Sequence, residues 1–220
     1  MIMKELYLSC GFRCYCKLVI NHQLKIKQPS MPFDSGFFPV SSIIKFMETD
    51  EIYINLKNTV PCIKTERFHH NNRLGISFET SSYTQIDDYI GKNGYDNSYL
   101  DGTKGYYTLC EDYGFVLAHY NWHKSADQSR SKGVTEPEKN INNINHILSR
   151  RKLRLLDMID GSEKINLCFY QNQKYEFMMV NQMSYTILDD SMNLLKSYFE
   201  DRFKNKLFEI VIYPENSRFK

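Results

Sequence analysis

The stretch from Thr135 to Tyr213 constrains the fold most. Thr135-Glu136-Pro137-Glu138 has the form of a capping box with proline in the first turn, and Ile141, Ile144, Leu148, Leu155 and Ile159 then recur on one stripe until Asp160-Gly161 ends it. A strand follows at Ile165 to Tyr170 and a second at Tyr175 to Val180. Leu188 to Phe203 reads as a helix carrying Leu195, Tyr198, Phe199 and Phe203, and Leu207 to Tyr213 as a closing strand. Strands alternating with helices predict an α/β class, a layered sandwich with a mixed, substantially parallel sheet.

The first half is read from shorter signals. Leu6 to Cys14 predicts a short strand, a glycine turn and the start of a helix, on which Cys14, Leu18, Val19 and His22 recur at helical spacing. Gln28 to Gly36 is dense in turn residues, with two prolines, and leads to a helical segment at Ser41 to Met47. Between 51 and 110, Glu51 to Leu56 and Gly75 to Phe78 have strand character. The Tyr-, Asp-, Asn- and Gly-rich stretch 81–107 reads as a loop-rich middle insertion of the kind that builds substrate surfaces. Tyr113 to Asn121 is a strand whose alternation places His119, Asn121 and His123 on one face and Val116, Ala118, Tyr120 and Trp122 on the other.

Composition narrows the function classes. A chain of 220 residues is expected to form a single domain over 1–220, and 16 Tyr and 14 Phe supply an aromatic core. With 28 basic residues against 26 acidic ones, the net charge of +2 gives no field for nucleic acid or an anionic membrane. Any basic surface is local, and Ser149-Arg150-Arg151-Lys152-Leu153-Arg154 serves as a solvated helix face or a phosphate site. Six cysteines at 10, 14, 16, 62, 110 and 168, unevenly spaced and without a secretory leader, read as reduced thiols of a cytoplasmic protein. Cys10-x3-Cys14-x-Cys16 lacks the second half of a zinc motif, no cofactor motif is present, and no run reaches the length of a membrane span.

Cys14 is the residue most suited to chemistry, because the free N–H groups and dipole of a helix N-terminus stabilise a thiolate; the alternative is a small buried apolar residue. Ser9-Cys10-Gly11-Phe12-Arg13-Cys14, then Pro32-Phe33-Asp34, Tyr113-Gly114-Phe115 through His119, Arg150-Arg151-x-x-Arg154 and Leu167-Cys168-Phe169 line up with one pattern. Their order and spacing resemble a family of uncharacterised proteins described as papain-like cysteine peptidases. That family runs S-L-G-x-N-C, P-F-D-W, G-hydrophobic-x-F-x-H, R-R-x-x-R and L-F-V-R. This chain departs from it with Cys10 for Leu, Arg13 for Asn, Ser35 for Trp and Gln171 for Arg.

The resemblance implies a Cys14 nucleophile, a His119 base and an orienting Asp34 or Asn121, with a papain-like α+β fold as the alternative architecture. Asp34 is preferred as orienter because Asn121 shares the strand of His119, although Asp34 also suits an Asx turn or helix cap. Gly11, Phe12, Arg13 and Arg150 are then candidate substrate contacts, for a peptide or another acyl compound. A second class of function, a protein of carbohydrate or polysaccharide metabolism holding a sugar or phosphate ligand, draws on the glycine turn, the basic helix and the many Tyr and Asn side chains. A non-catalytic interaction module would use the same aromatic residues as a partner surface.

Overall fold

The computed structural model describes residues 4–10, 15–34, 36–70, 73–80, 106–117, 137–171, 177–180, 183–186 and 190–214. In chain order these form β1 (Glu5–Ser9), α1 (Tyr15–His22), β2 (Gly36–Phe37), α2 (Val40–Glu48), β3 (Thr59–His70), β4 (Arg73–Thr80), β5 (Tyr106–Cys110), β6 (Phe115–Leu117), α3 (Pro137–Asp160), β7 (Lys164–Gln171), β8 (Phe177–Val180), β9 (Met183–Thr186), α4 (Asp190–Arg202) and β10 (Leu207–Pro214). The chain is therefore mixed α/β. A three-stranded sheet runs β1-β7-β10 and is parallel throughout. A second runs β2-β6-β5-β3-β4-β8-β9, parallel at β4–β8 and antiparallel elsewhere.

Parallel pairing is thus narrower than the alternation of elements suggests. β3 and β4 are separated by residues 71 and 72 alone, and so short a connection requires antiparallel pairing. β5 and β6 extend the hairpin on one side, while β8 pairs with β4 on the other and takes the second strand of the C-terminal half away from the parallel sheet.

Both faces of β7 are covered, as a central parallel strand requires. Ile165, Leu167 and Phe169 point into the main core with Leu6 and Leu8 of β1, Phe208 of β10, Leu195 and Phe199 of α4 and the stripe Ile141, Ile144, Leu148, Leu155 and Ile159 of α3. On the opposite face Cys168 packs with Cys16 and Ile20 of α1, flanked by Tyr7, Val211 and Tyr213. The expected aromatic core is present around α2. Phe33 lies edge-on to Phe38 and Phe46 at 5.4 Å, and Phe115 contacts Phe38 at 4.7 Å. Gly36 is required here, since a Cβ would sit 2.8 Å from the carbonyl oxygen of Val116 in the neighbouring β6.

The Glu51 to Leu56 stretch alternates as expected, with Ile52 and Ile54 buried and Tyr53 exposed, yet it is not a strand. Its partner is a helix side chain. Asn145 of α3 accepts from Ile54 N at 2.8 Å and donates to Ile54 O at 3.0 Å, satisfying the backbone that a neighbouring strand would otherwise serve. Lys152 of the same helix donates to Phe46 O at 2.9 Å and to Thr49 O, and so caps the C-terminus of α2 with a buried cation.

Candidate functional site

Among the described residues the carboxyl end of the parallel sheet holds three buried polar side chains, Ser9, Lys17 and Asp34. β1 ends at Ser9, opposite Cys168, and Cys10 continues the ladder by donating its N–H to Cys168 O at 2.8 Å. Five residues later α1 begins at Tyr15, on the face opposite α4. Of the parallel strands, β1 is the one whose carboxyl end leads into a helix among the described residues, since β7 runs on to β8 of the other sheet.

The thiols described at and around this end are closed to chemistry. Cys10, Cys16, Cys62, Cys110 and Cys168 are all buried and unpaired. Cys16 donates to Cys168 O at 3.1 Å, Cys10 to Leu8 O at 3.4 Å and Cys168 to Asn166 O at 3.3 Å. Burial pushes the Cys10 and Cys16 thiols well above the ordinary range, with the Cys168 sulfur adding to both shifts, and burial does the same to Cys62 and Cys110. A thiol without access or thiolate character is a structural group.

Asp34 is the sequence-predicted site residue that the structure places most informatively. It closes the turn Pro32–Asp34, where its Oδ2 accepts from Met31 N at 2.7 Å, so the local turn role is real. It has a second partner. Lys17, in the first turn of α1, lies 3.6 Å from the same Oδ2, with the two side chains 10% and 5% exposed. Oδ1 is buried and has no hydrogen-bond partner among the described residues. Burial raises the Asp34 carboxyl above its usual range, opposed chiefly by Lys17, while burial lowers the Lys17 ammonium against the pull of Asp34. In both partners the loss of water outweighs the attraction.

The segment before Asp34 is held by cations. Lys17 donates to Gln28 O and Pro29 O, both at 3.0 Å, Arg154 to Ser30 O at 2.8 Å and Arg151 to Met31 O at 3.4 Å. Consecutive carbonyls from 28 to 31 thus each receive a charged donor from α1 or α3. The basic run on α3 is neither a wholly solvated face nor a free phosphate site: Arg151 and Arg154 clamp this loop, Lys152 caps α2, and Arg150 is exposed.

Gly11, Phe12, Arg13, Cys14, His119, Asn121 and His123 lie outside the described residues. Cys14 immediately precedes the first residue of α1 in the sequence. The structure brings Asp34 to the first turn of that helix, and it is Arg151 rather than Arg150 that reaches toward Asp34. His69 and His70 close β3, paired with Leu74 and Arg73 of β4. Among the described residues no group of three His, Cys, Asp or Glu side chains is gathered as metal ligands, and no helix is long and apolar enough to cross a membrane.

Lys17 is the site residue that sequence reasoning passes over. The available signal is a lone lysine set among Cys16, Val19 and Ile20, all buried in a helix of eight residues. No family model, curated protein or solved structure matches the chain.

Proposed function

We propose that the chain is a cysteine-dependent hydrolase or acyl transferase in which Cys14 is the nucleophile, His119 the base and Asp34 the carboxylate that orients the imidazole. The observation that carries this is the pair of vacancies left by the described groups. Every described thiol is buried, which leaves Cys14 as the remaining candidate, and Asp34 keeps one buried oxygen without a donor among the described residues, beside the helix that Cys14 precedes. A carboxylate with one oxygen fixed and the other available suits the task of holding a histidine in one tautomer.

In this scheme the Cys14 sulfur attacks an acyl carbonyl and its proton passes to His119. The carbonyl–nitrogen or carbonyl–oxygen bond breaks, the leaving group takes that proton, and a thioester remains. Water or another acceptor, deprotonated by His119, then releases the acyl group and restores the thiol. Backbone N–H groups at the start of α1 are the source of oxyanion stabilisation. The substrate class is a peptide or another acyl compound, with Gly11, Phe12, Arg13 and Arg150 as its contacts and Asn121 as the alternative orienter. Unpaired thiols at five positions support a reducing, cytoplasmic setting. A layered sandwich, α1 on one face of the parallel sheet and α3 and α4 on the other, is the architecture that goes with this site, supported by the two packing clusters.

The test uses p-nitrophenyl acetate as acyl donor. The expected outcome is a burst of p-nitrophenolate and an acetyl group on Cys14, both lost in Cys14→Ala and His119→Ala while the circular dichroism spectrum is kept. Acetylation spread over lysines, unchanged in those variants, removes the proposal.

A further inference from the structure

We infer that Lys17 is a positioning residue of this site, acting through Asp34: it ties the first turn of α1 to the cation-clamped loop and keeps the Asp34 carboxylate ionised with Oδ1 available. The inference rests on the proposed thiol chemistry and adds to it a residue that neither the sequence pattern nor the family resemblance marks.

The geometry leaves Lys17 little other function. Its ammonium has three N–H groups and, among the described residues, three oxygen partners: Gln28 O and Pro29 O at 3.0 Å and Asp34 Oδ2 at 3.6 Å. A side chain so committed is not available to a ligand. What it sets is the relation between two parts of the site, since it sits three residues beyond Cys14 in the sequence and the described oxygens that its ammonium meets lie on the segment that ends at Asp34. It also decides the charge of Asp34. A buried carboxylate without a counter-ion takes up a proton, and a protonated Asp34 would offer Oδ1 as a poor acceptor or a competing donor. Among the described residues the other charged group acting on Asp34 is Arg151 of α3, already engaged with Met31 O, and the neighbouring Cys10 thiol is buried. Lys17 is therefore the principal counter-ion among the described residues.

The experiment is the pH profile of Cys14 alkylation by iodoacetamide, followed by peptide mass mapping, in the full chain. An imidazolium supported by ionised Asp34 stabilises the Cys14 thiolate, so Lys17→Gln should move the midpoint of the profile upward by about one pH unit, a roughly tenfold loss of rate below the midpoint. Lys17→Gln is chosen because its amide still donates to the clamped carbonyls; Lys17→Met is the second variant and should shift in the same direction. Arg154→Gln removes a clamp bond without touching Asp34 and should leave the midpoint in place. In an Asp34→Asn background Lys17→Gln should no longer shift it.

An equal shift in both backgrounds would show Lys17 acting on Cys14 by its own charge and overturn the inference, as would equal shifts from Arg154→Gln and Lys17→Gln. An unmoved midpoint in folded Lys17→Gln overturns it too, while acetylation of wild-type Cys14 leaves the thiol chemistry standing. Failure of wild-type Cys14 to accept the acetyl group removes the thiol chemistry itself.

Discussion

The two ends of the parallel sheet hold the same kinds of charged residue in opposite media. At the amino end Lys164 of β7 bridges Glu209 of β10 at 2.7 Å and approaches Glu5 of β1 at 4.0 Å, with Glu209 48% exposed. Glu5 also accepts from Tyr7 OH at 2.8 Å and Asn166 at 3.0 Å, and donating to Glu5 lifts the Tyr7 phenol to about 12. There the hydrogen bonds favour the charged forms: Glu5 is lowered first by Tyr7 and Lys164 raised first by Glu209. At the carboxyl end burial dominates both Lys17 and Asp34 and disfavours both charges. A charge pair kept where burial disfavours both charges, beside a helix start, is the feature on which the proposed function draws.

The largest expected effect tests that contrast directly. Lys17→Met leaves Asp34 buried without its principal counter-ion and should cost about 3–5 kcal/mol in urea unfolding, whereas Lys17→Met combined with Asp34→Leu should recover most of that loss. A double variant no more stable than the single would mean that the clamped carbonyls, not the charges, hold this end together.

The pH dependence sharpens the same point. Burial holds Asp34 above its ordinary 3.8 and Lys17 below its ordinary 10.5. The stability associated with Asp34 therefore falls as pH rises from 3.8 toward its raised folded value. That associated with Lys17 grows as pH rises through its lowered folded value toward 10.5. Both slopes should be absent from the double variant in a series of urea melts, and their survival would assign them to other groups.

Smaller effects mark the limits of the comparison. Arg154→Gln removes an exposed charged donor from Ser30 O and should cost about 1 kcal/mol or less. Lys164→Gln, at the amino end, should leave the urea midpoint unchanged at physiological salt, where exposed pairs are screened. A large loss there would erase the distinction between the two ends.

Local signals in the sequence carried the elements and left the connections between them open. The capping box at Thr135 and the stripe from Ile141 to Ile159 locate α3, and the short apolar runs read as strands from Leu6, Ile165 and Leu207 are β1, β7 and β10, because each pattern is local to its own element. The extended stretch at Ile52 to Ile54 alternates as a strand does, but its hydrogen-bond partner is Asn145, a contact that local periodicity cannot contain. The site divides the same way. A turn role for Asp34, and a helix beginning at Cys14 where the described helix spans Tyr15–His22, were legible from turn residues and helical spacing. The pairing with Lys17, and the role of Arg151 and Arg154 as clamps on carbonyls, depend on segments that meet only in the folded chain. The division into two sheets was hidden for the same reason, since β8 follows β7 in sequence but pairs with β4.

The most direct measurement is alkylation of the native wild-type chain with iodoacetamide at neutral pH, mapped by peptide mass. The account predicts label on Cys14 ahead of the five buried thiols, at a rate that falls in His119→Ala and in Asp34→Asn. Label distributed evenly over all the cysteines, or confined to none until urea unfolds the chain, would contradict it.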